Sequence, residues 1–163
     1  MSIRFNADEI FEMAAEIERQ GAVFYEKAAR ITKDSKVRKM FERFSDMEHG
    51  HRITFEKMRD QLTSDQRAST YDPAGEAAMY LRAVADANGL EGKKSDMVDF
   101  NGNESPAEIL KSAIEAEKNS IVFYLGLEDV VDKSDWRKVA NIISEEKAHL
   151  RSLCNALNEM KSS

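Results

Sequence analysis

A chain of 163 residues with 42% apolar and 33% charged side chains has the balance of amphipathic helices and the size of one domain, 1–163, with its own core. Only two prolines and seven glycines weigh against an all-β fold, which needs many turns. A net charge of −6 with no basic run argues against nucleic acid and against an anionic membrane as partners.

No N-terminal stretch reads as a signal peptide and none elsewhere reads as a membrane span, so a cytoplasmic location is expected. Cys154 is the single cysteine, which excludes an intramolecular disulfide and a Cys-x-x-Cys metal site and suits a small buried hydrophobe in a reduced compartment.

In chain order, Ile10, Met13, Ile17, Gly21, Phe24, Ala28 and Ile31 recur at helical spacing and predict a first helix over 8–32. Asn6 is its N-cap, with Glu9 as the return partner of a capping box. After the polar break at 32–36, a second helix runs to about residue 62 on Val37, Met40, Phe41, Phe44, Met47, His51, Phe55, Met58 and Leu62. Residues 63–104 form a long connection, in which Asp72-Pro73 predicts a short extra helix through Tyr80, Leu81 and Val84 to about Asn88. A third helix opens on Ser105 as N-cap, Pro106 at the first position and Glu108 two further on, and continues to about residue 131. A second break at 132–135 leads to a fourth helix carrying Val139, Ile142, Ile143, Leu150, Leu153 and Leu157.

Short breaks make antiparallel hairpins, first helix with second and third with fourth, and the long connection makes the crossover between them. The expected fold is therefore an all-α four-helix bundle of two hairpins joined by a long crossover.

The two hairpins repeat one pattern. Glu18 precedes Glu48-x-x-His51, and Glu117 precedes Glu146-x-x-His149; Phe24 and Tyr25 reappear as Phe123 and Tyr124 at a 99-residue offset. At about 1.5 Å per residue, both members of each Glu pair lie roughly 20–24 Å from their own turn, so the pairs sit at matching depth. All four glutamates lie on or beside apolar stripes: Glu48 with Phe44, His51 and Phe55, Glu146 with Ile142, His149 and Leu153, Glu117 with Ala113, Ile114, Ile121 and Tyr124, and Glu18 with Ala14, Gly21, Ala22 and Tyr25.

Burying one unpaired carboxylate costs several kcal/mol, and here four converge with no Lys or Arg cluster among them. Two divalent cations would balance the four carboxylates and leave the histidines neutral. Carboxylate with imidazole favours iron or manganese over calcium, and zinc also fits. His49, Glu16, Glu115 and Glu145 read as surface, and Met40, Met47 and Met58 as core filling.

Ile17-Glu18…Phe24-Tyr25, Glu48-x-x-His51, Glu117…Phe123-Tyr124 and Glu146-x-x-His149 together resemble the rubrerythrin branch of the ferritin-like superfamily over nearly the whole chain. The resemblance implies a ferritin-like bundle with a carboxylate-bridged site for two Fe ions, Zn or Mn being substitutes. By that likeness Glu48 and Glu146 bridge, Glu18 and Glu117 are terminal ligands, His51 and His149 each bind one metal, and Tyr25 and Tyr124 are candidate catalytic residues beside the cluster.

Two features depart from the family pattern. Full-length rubrerythrins append a four-cysteine rubredoxin-like centre, so here reducing electrons are expected from an external electron-donor protein. The family's additional glutamate, one turn beyond the third-helix ligand, corresponds to Ser120. This leaves a six-ligand set closer to ferritins.

The expected activity is a di-iron oxidoreductase acting on hydrogen peroxide or dioxygen, of peroxidase or ferroxidase type. The alternative is a metal-binding or iron-storage-related module without turnover. The resemblance also implies a homodimer.

Overall fold

The structure, a computed structural model, describes residues 6–68, 79–80, 83 and 100–162. Among these residues there is no strand, and five helices have described bounds: α1 Ala7–Ile31, α2 Ser35–Asp60, α3 Ser64–Ala68, α4 Pro106–Leu125 and α5 Lys133–Lys161.

Local chemistry sets the ends. Asn6 and Glu9 form a reciprocal capping box at the start of α1, each accepting the other's backbone N–H at 2.9 Å. Ser105 and Glu108 do the same for α4, with Pro106 pre-set at its first turn. Asp34 caps α2 through the N–H groups of Lys36 and Val37, and Asp132 caps α5 through those of Ser134 and Asp135.

Two expectations change. The third helix, expected to reach about residue 131, ends at Leu125; Gly126 follows as its C-cap, and residues 126–130 run on as turns held by successive short-range backbone bonds. The apolar periodicity continues through Leu127, which is fully buried, so spacing alone carried the helix too far. The crossover begins with the short α3, which its polar sequence did not signal. The predicted start at Asp72-Pro73 and the end near Asn88 lie outside the described residues, whereas Met79, Tyr80 and Ala83 are helical. The Tyr80 hydroxyl donates to the Val122 carbonyl at 2.6 Å and ties that part of the crossover to α4. Asp8, paired with both Arg59 and Arg67, fastens α3 to the ends of α1 and α2.

The apolar core is divided in two. At one end Ile10, Phe11, Phe55, Met58, Tyr124, Leu127, Val139 and Ile142 pack together. At the other are Phe24, Tyr25, Phe41, Phe44, Ile109, Leu110, Leu153 and Leu157. Each long helix contributes to both clusters, and between them each turns a polar segment inward. There lie the buried Glu18, Glu48, His51, Glu117, Glu146 and His149.

Candidate metal centre

The six residues reach one layer from four helices: Glu18 from α1, Glu48 and His51 from α2, Glu117 from α4, Glu146 and His149 from α5. All are at most 5% exposed. They form two overlapping groups, Glu18–Glu48–His51–Glu146 and Glu48–Glu117–Glu146–His149, with potential ligand atoms within 4.8 Å of one another in each. Glu48 and Glu146 belong to both groups. Each group therefore has one imidazole, one carboxylate of its own and two shared carboxylates.

Both imidazoles turn Nδ1 inward. His51 Nδ1 lies 2.8 Å from Glu146 and 3.3 Å from Glu18. His149 Nδ1 lies 3.2 Å from Glu146 and 3.3 Å from both Glu48 and Glu117. The one-turn Glu-x-x-His spacing on α5 directly places Glu146 against His149, while His51 meets the carboxylate of the other hairpin.

Tyr25 donates to Glu117 Oε1 and Tyr124 donates to Glu18 Oε1, so each tyrosine on one hairpin holds the lone glutamate of the other. Burial, reinforced by the carboxylates around them, pushes both phenols well above their ordinary range and keeps the hydroxyls protonated as donors. Gly21 makes room for the layer: a Cβ there would meet Glu48 Oε2 at 3.1 Å. At the matching place on α4, the Ser120 hydroxyl donates to the Ala116 carbonyl at 3.1 Å, within its own helix.

Without a cation the layer is balanced by protons. Burial and the neighbouring charges of Glu18 and Glu146 raise Glu48 well above the carboxylate range; burial and the Glu146 charge do the same to Glu117. Burial alone would raise Glu146 too, but its contacts with Glu117, His149 and His51 hold it low and ionised. Burial alone would lower the imidazoles, yet contacts with Glu146 and Glu18 raise His51 to about 11, and those with Glu117 and Glu146 raise His149 to about 9.

These inward contacts are ion pairs without hydrogen-bond geometry: Glu18 Oε2, Glu48 Oε1, both oxygens of Glu146 and Nδ1 of each histidine make no hydrogen bond. Buried polar atoms are rarely left so, and inward-facing oxygens with two imidazole nitrogens form a donor set suited to transition-metal ions. The residues fit a metal centre.

Two residues read from the sequence as unremarkable touch the site. Glu145, expected to lie on the surface, has a half-exposed carboxylate that lies 2.7 Å from His51 Nε2. Met47, expected as core filling, puts its sulfur 3.4 Å from His149 Nε2. Both precede the glutamate of a Glu-x-x-His by one residue, and that shared position was the available signal. His49, by contrast, is half-exposed and lies 3.8 Å from Glu26, while Glu16 pairs with Arg19 and Glu115 with Lys118 on the surface.

Fold and site together define a ferritin-like helical bundle with a carboxylate–imidazole metal centre. The rubrerythrin family model matches residues 9–92, over half of the chain, and the protein belongs to the rubrerythrin family. A crystal structure from Thermotoga maritima, provisionally described as a ferritin-like diiron-carboxylate protein, is similar at a TM-score of 0.72 and 26% identity, covering 96% of this chain and 97% of that one. No curated protein matches the chain. Among the described residues no helix is long and apolar enough to cross a membrane.

Proposed function

We propose that the chain is a di-iron carboxylate oxidoreductase that reacts with hydrogen peroxide or dioxygen. The observation that carries this reading is the pair of overlapping ligand groups sharing Glu48 and Glu146, with inward atoms that make no hydrogen bond. Glu18 and His51 would hold one ion, Glu117 and His149 the other, and Glu48 with Glu146 would bridge. When bound, a ferrous pair supplies two one-electron reductants to a two-electron oxidant.

The chain's own residues set the conditions for that chemistry. The apolar clusters above and below the layer keep bulk water away and limit access to small oxidants. Tyr25 and Tyr124 act through Glu117 and Glu18. Tyr124 holds Glu18 Oε1 and leaves Oε2 facing the centre. Tyr25 holds Glu117 by Oε1, the oxygen that also lies 3.3 Å from His149 Nδ1.

Ser120 favours ferrous oxidation within this class, because its hydroxyl is spent on Ala116 and contributes no seventh ligand. An external protein would supply electrons in a peroxidase cycle, and a homodimer is the proposed assembly.

Anaerobic Fe(II) loading followed by desalting tests the reading. About two irons per chain, lost together in the Glu48→Ala, Glu146→Ala double variant, is the expected result. Retained two-metal stoichiometry in that variant would refute the bridges. Slow or absent oxidation of the loaded irons by peroxide and dioxygen would instead favour a storage or binding module.

A further inference from the structure

The two halves of the metal layer match in every donor but differ in what stands behind the imidazoles. An imidazole that binds through Nδ1 carries its proton on Nε2, and the acceptor of that proton fixes the ring and sets its basicity. Behind His51 the acceptor is a carboxylate, Glu145, reaching from α5 across to α2 at 2.7 Å. Behind His149 it is the neutral thioether of Met47, reaching from α2 to α5 at 3.4 Å, a weak acceptor. The His149 ring is further enclosed by Phe44, stacked at 4.1 Å between centroids, which adds an apolar wall and no acceptor. Residues 47 and 145 are equivalent positions in the repeat, so the two imidazoles differ in this acceptor although their inward ligands match.

We infer that Glu145 is a positioning residue that makes the Glu18–His51 half of the centre the tighter metal position, filled first, and leaves the Met47-backed His149 half the weaker and more exchangeable one. This rests on the paired-site reading above. Glu145 is half exposed, so its charge is partly screened; the asymmetry comes from the direct hydrogen bond and the ring orientation that it enforces. Loss of such an outer partner typically weakens metal affinity about 10–100-fold, and the two positions should differ by a ratio of that order.

The experiment is a Zn(II) titration of the metal-free chain followed by nuclear magnetic resonance of isotope-labelled histidine nitrogens. The chain has only three histidines, and half-exposed His49, outside the layer, serves as the internal reference. At one equivalent of Zn(II) the His51 Nδ1 resonance should have moved and that of His149 should not; the second equivalent should move His149. Glu145→Ala should remove the preference, Glu145→Gln should keep part of it by retaining a neutral acceptor, and Met47→Glu should bring His149 level with His51. Simultaneous movement of both rings in the unaltered chain, prior movement of His149, or an order unchanged by Glu145→Ala would overturn the inference and leave the paired site standing. If neither ring moves after two equivalents, the paired-site reading falls and the inference with it.

Discussion

The Tyr124 hydroxyl, on α4, donates to Glu18, on α1, and thereby joins the second hairpin to the first inside the charged layer. Tyr25 returns the same bond from α1 to Glu117 on α4. Each tyrosine also belongs to one of the two apolar clusters, so its ring is packed while its hydroxyl faces the polar layer. The exchange makes the two hairpins interdependent at the level of the site.

Removing either hydroxyl should therefore loosen the whole bundle. Tyr124→Phe and Tyr25→Phe should each cost about 1–3 kcal/mol in the metal-free chain, the range for leaving a buried hydrogen-bonding group without its partner. Because both bonds end in one coupled layer, the double variant should depart from the sum of the single effects. Urea unfolding measures both quantities. Unchanged midpoints in both single variants would show that the tyrosines are packing residues only.

The two shared glutamates should behave differently when metal is absent. Burial and neighbouring carboxylates keep Glu48 protonated, whereas contacts with Glu117 and both histidines keep Glu146 ionised. Glu48→Gln replaces one neutral group by another and should shift metal-free stability by less than about 1 kcal/mol. Glu146→Gln removes the anion that partners both imidazoliums and should cost about 3–5 kcal/mol, the range for breaking a buried ion pair. Both variants should lose paired-metal binding. Equal costs in the metal-free chain would contradict this distribution of protons.

Much of this arrangement was legible in the sequence. The repeat from Glu18 to Tyr25 and from Glu117 to Tyr124, with the two Glu-x-x-His pairs at matching depth, anticipated which side chains meet, because helical rise and face are fixed by backbone geometry. Capping residues gave the starts of α1 and α4 for the same local reason. What spacing could not supply was contact between helices. Glu145 lies about 100° round the helix from Glu146 and reads as surface, yet the neighbouring α2 brings His51 Nε2 to it. The crossed tyrosine bonds depend likewise on how α1 and α4 lie together. The end of α4 was missed because apolar burial continues into the turns at Leu127, where periodicity no longer reports helix.

In the metal-free chain, stability should fall as pH rises above neutrality. The folded state holds the His51 proton up to about pH 11 and the His149 proton up to about pH 9, against an ordinary value of 6.5. The stabilisation from these protons is complete below about pH 6.5, declines above it, and is exhausted as pH passes through the folded values. Denaturant midpoints should therefore drop steadily between about pH 6.5 and pH 10. Metal loading should flatten the profile, because Nδ1 is then a ligand, and uptake should release protons into weakly buffered solution. A metal-free profile that is flat over this range would mean that the imidazoles are neutral in the folded chain.

Gly21 separates the needs of the helix from those of the site. In mid-helix a glycine costs about 1 kcal/mol relative to alanine, so Gly21→Ala gains propensity in α1. The added Cβ would stand 3.1 Å from Glu48 Oε2, the movable end of a side chain, which can withdraw by a few tenths of an ångström. In the metal-free chain, where Glu48 carries a proton and no cation fixes its position, that withdrawal is cheap and the variant should be stabilised by about 0.5–1 kcal/mol. On the proposed bridging role the same carboxylate would serve both ions in the loaded chain, and the displacement should weaken binding of the pair. Thermal unfolding and Zn(II) calorimetry on one preparation would reveal the opposed effects. A gain in stability with unchanged metal affinity would show that Glu48 adapts freely and that Gly21 is not required by the centre.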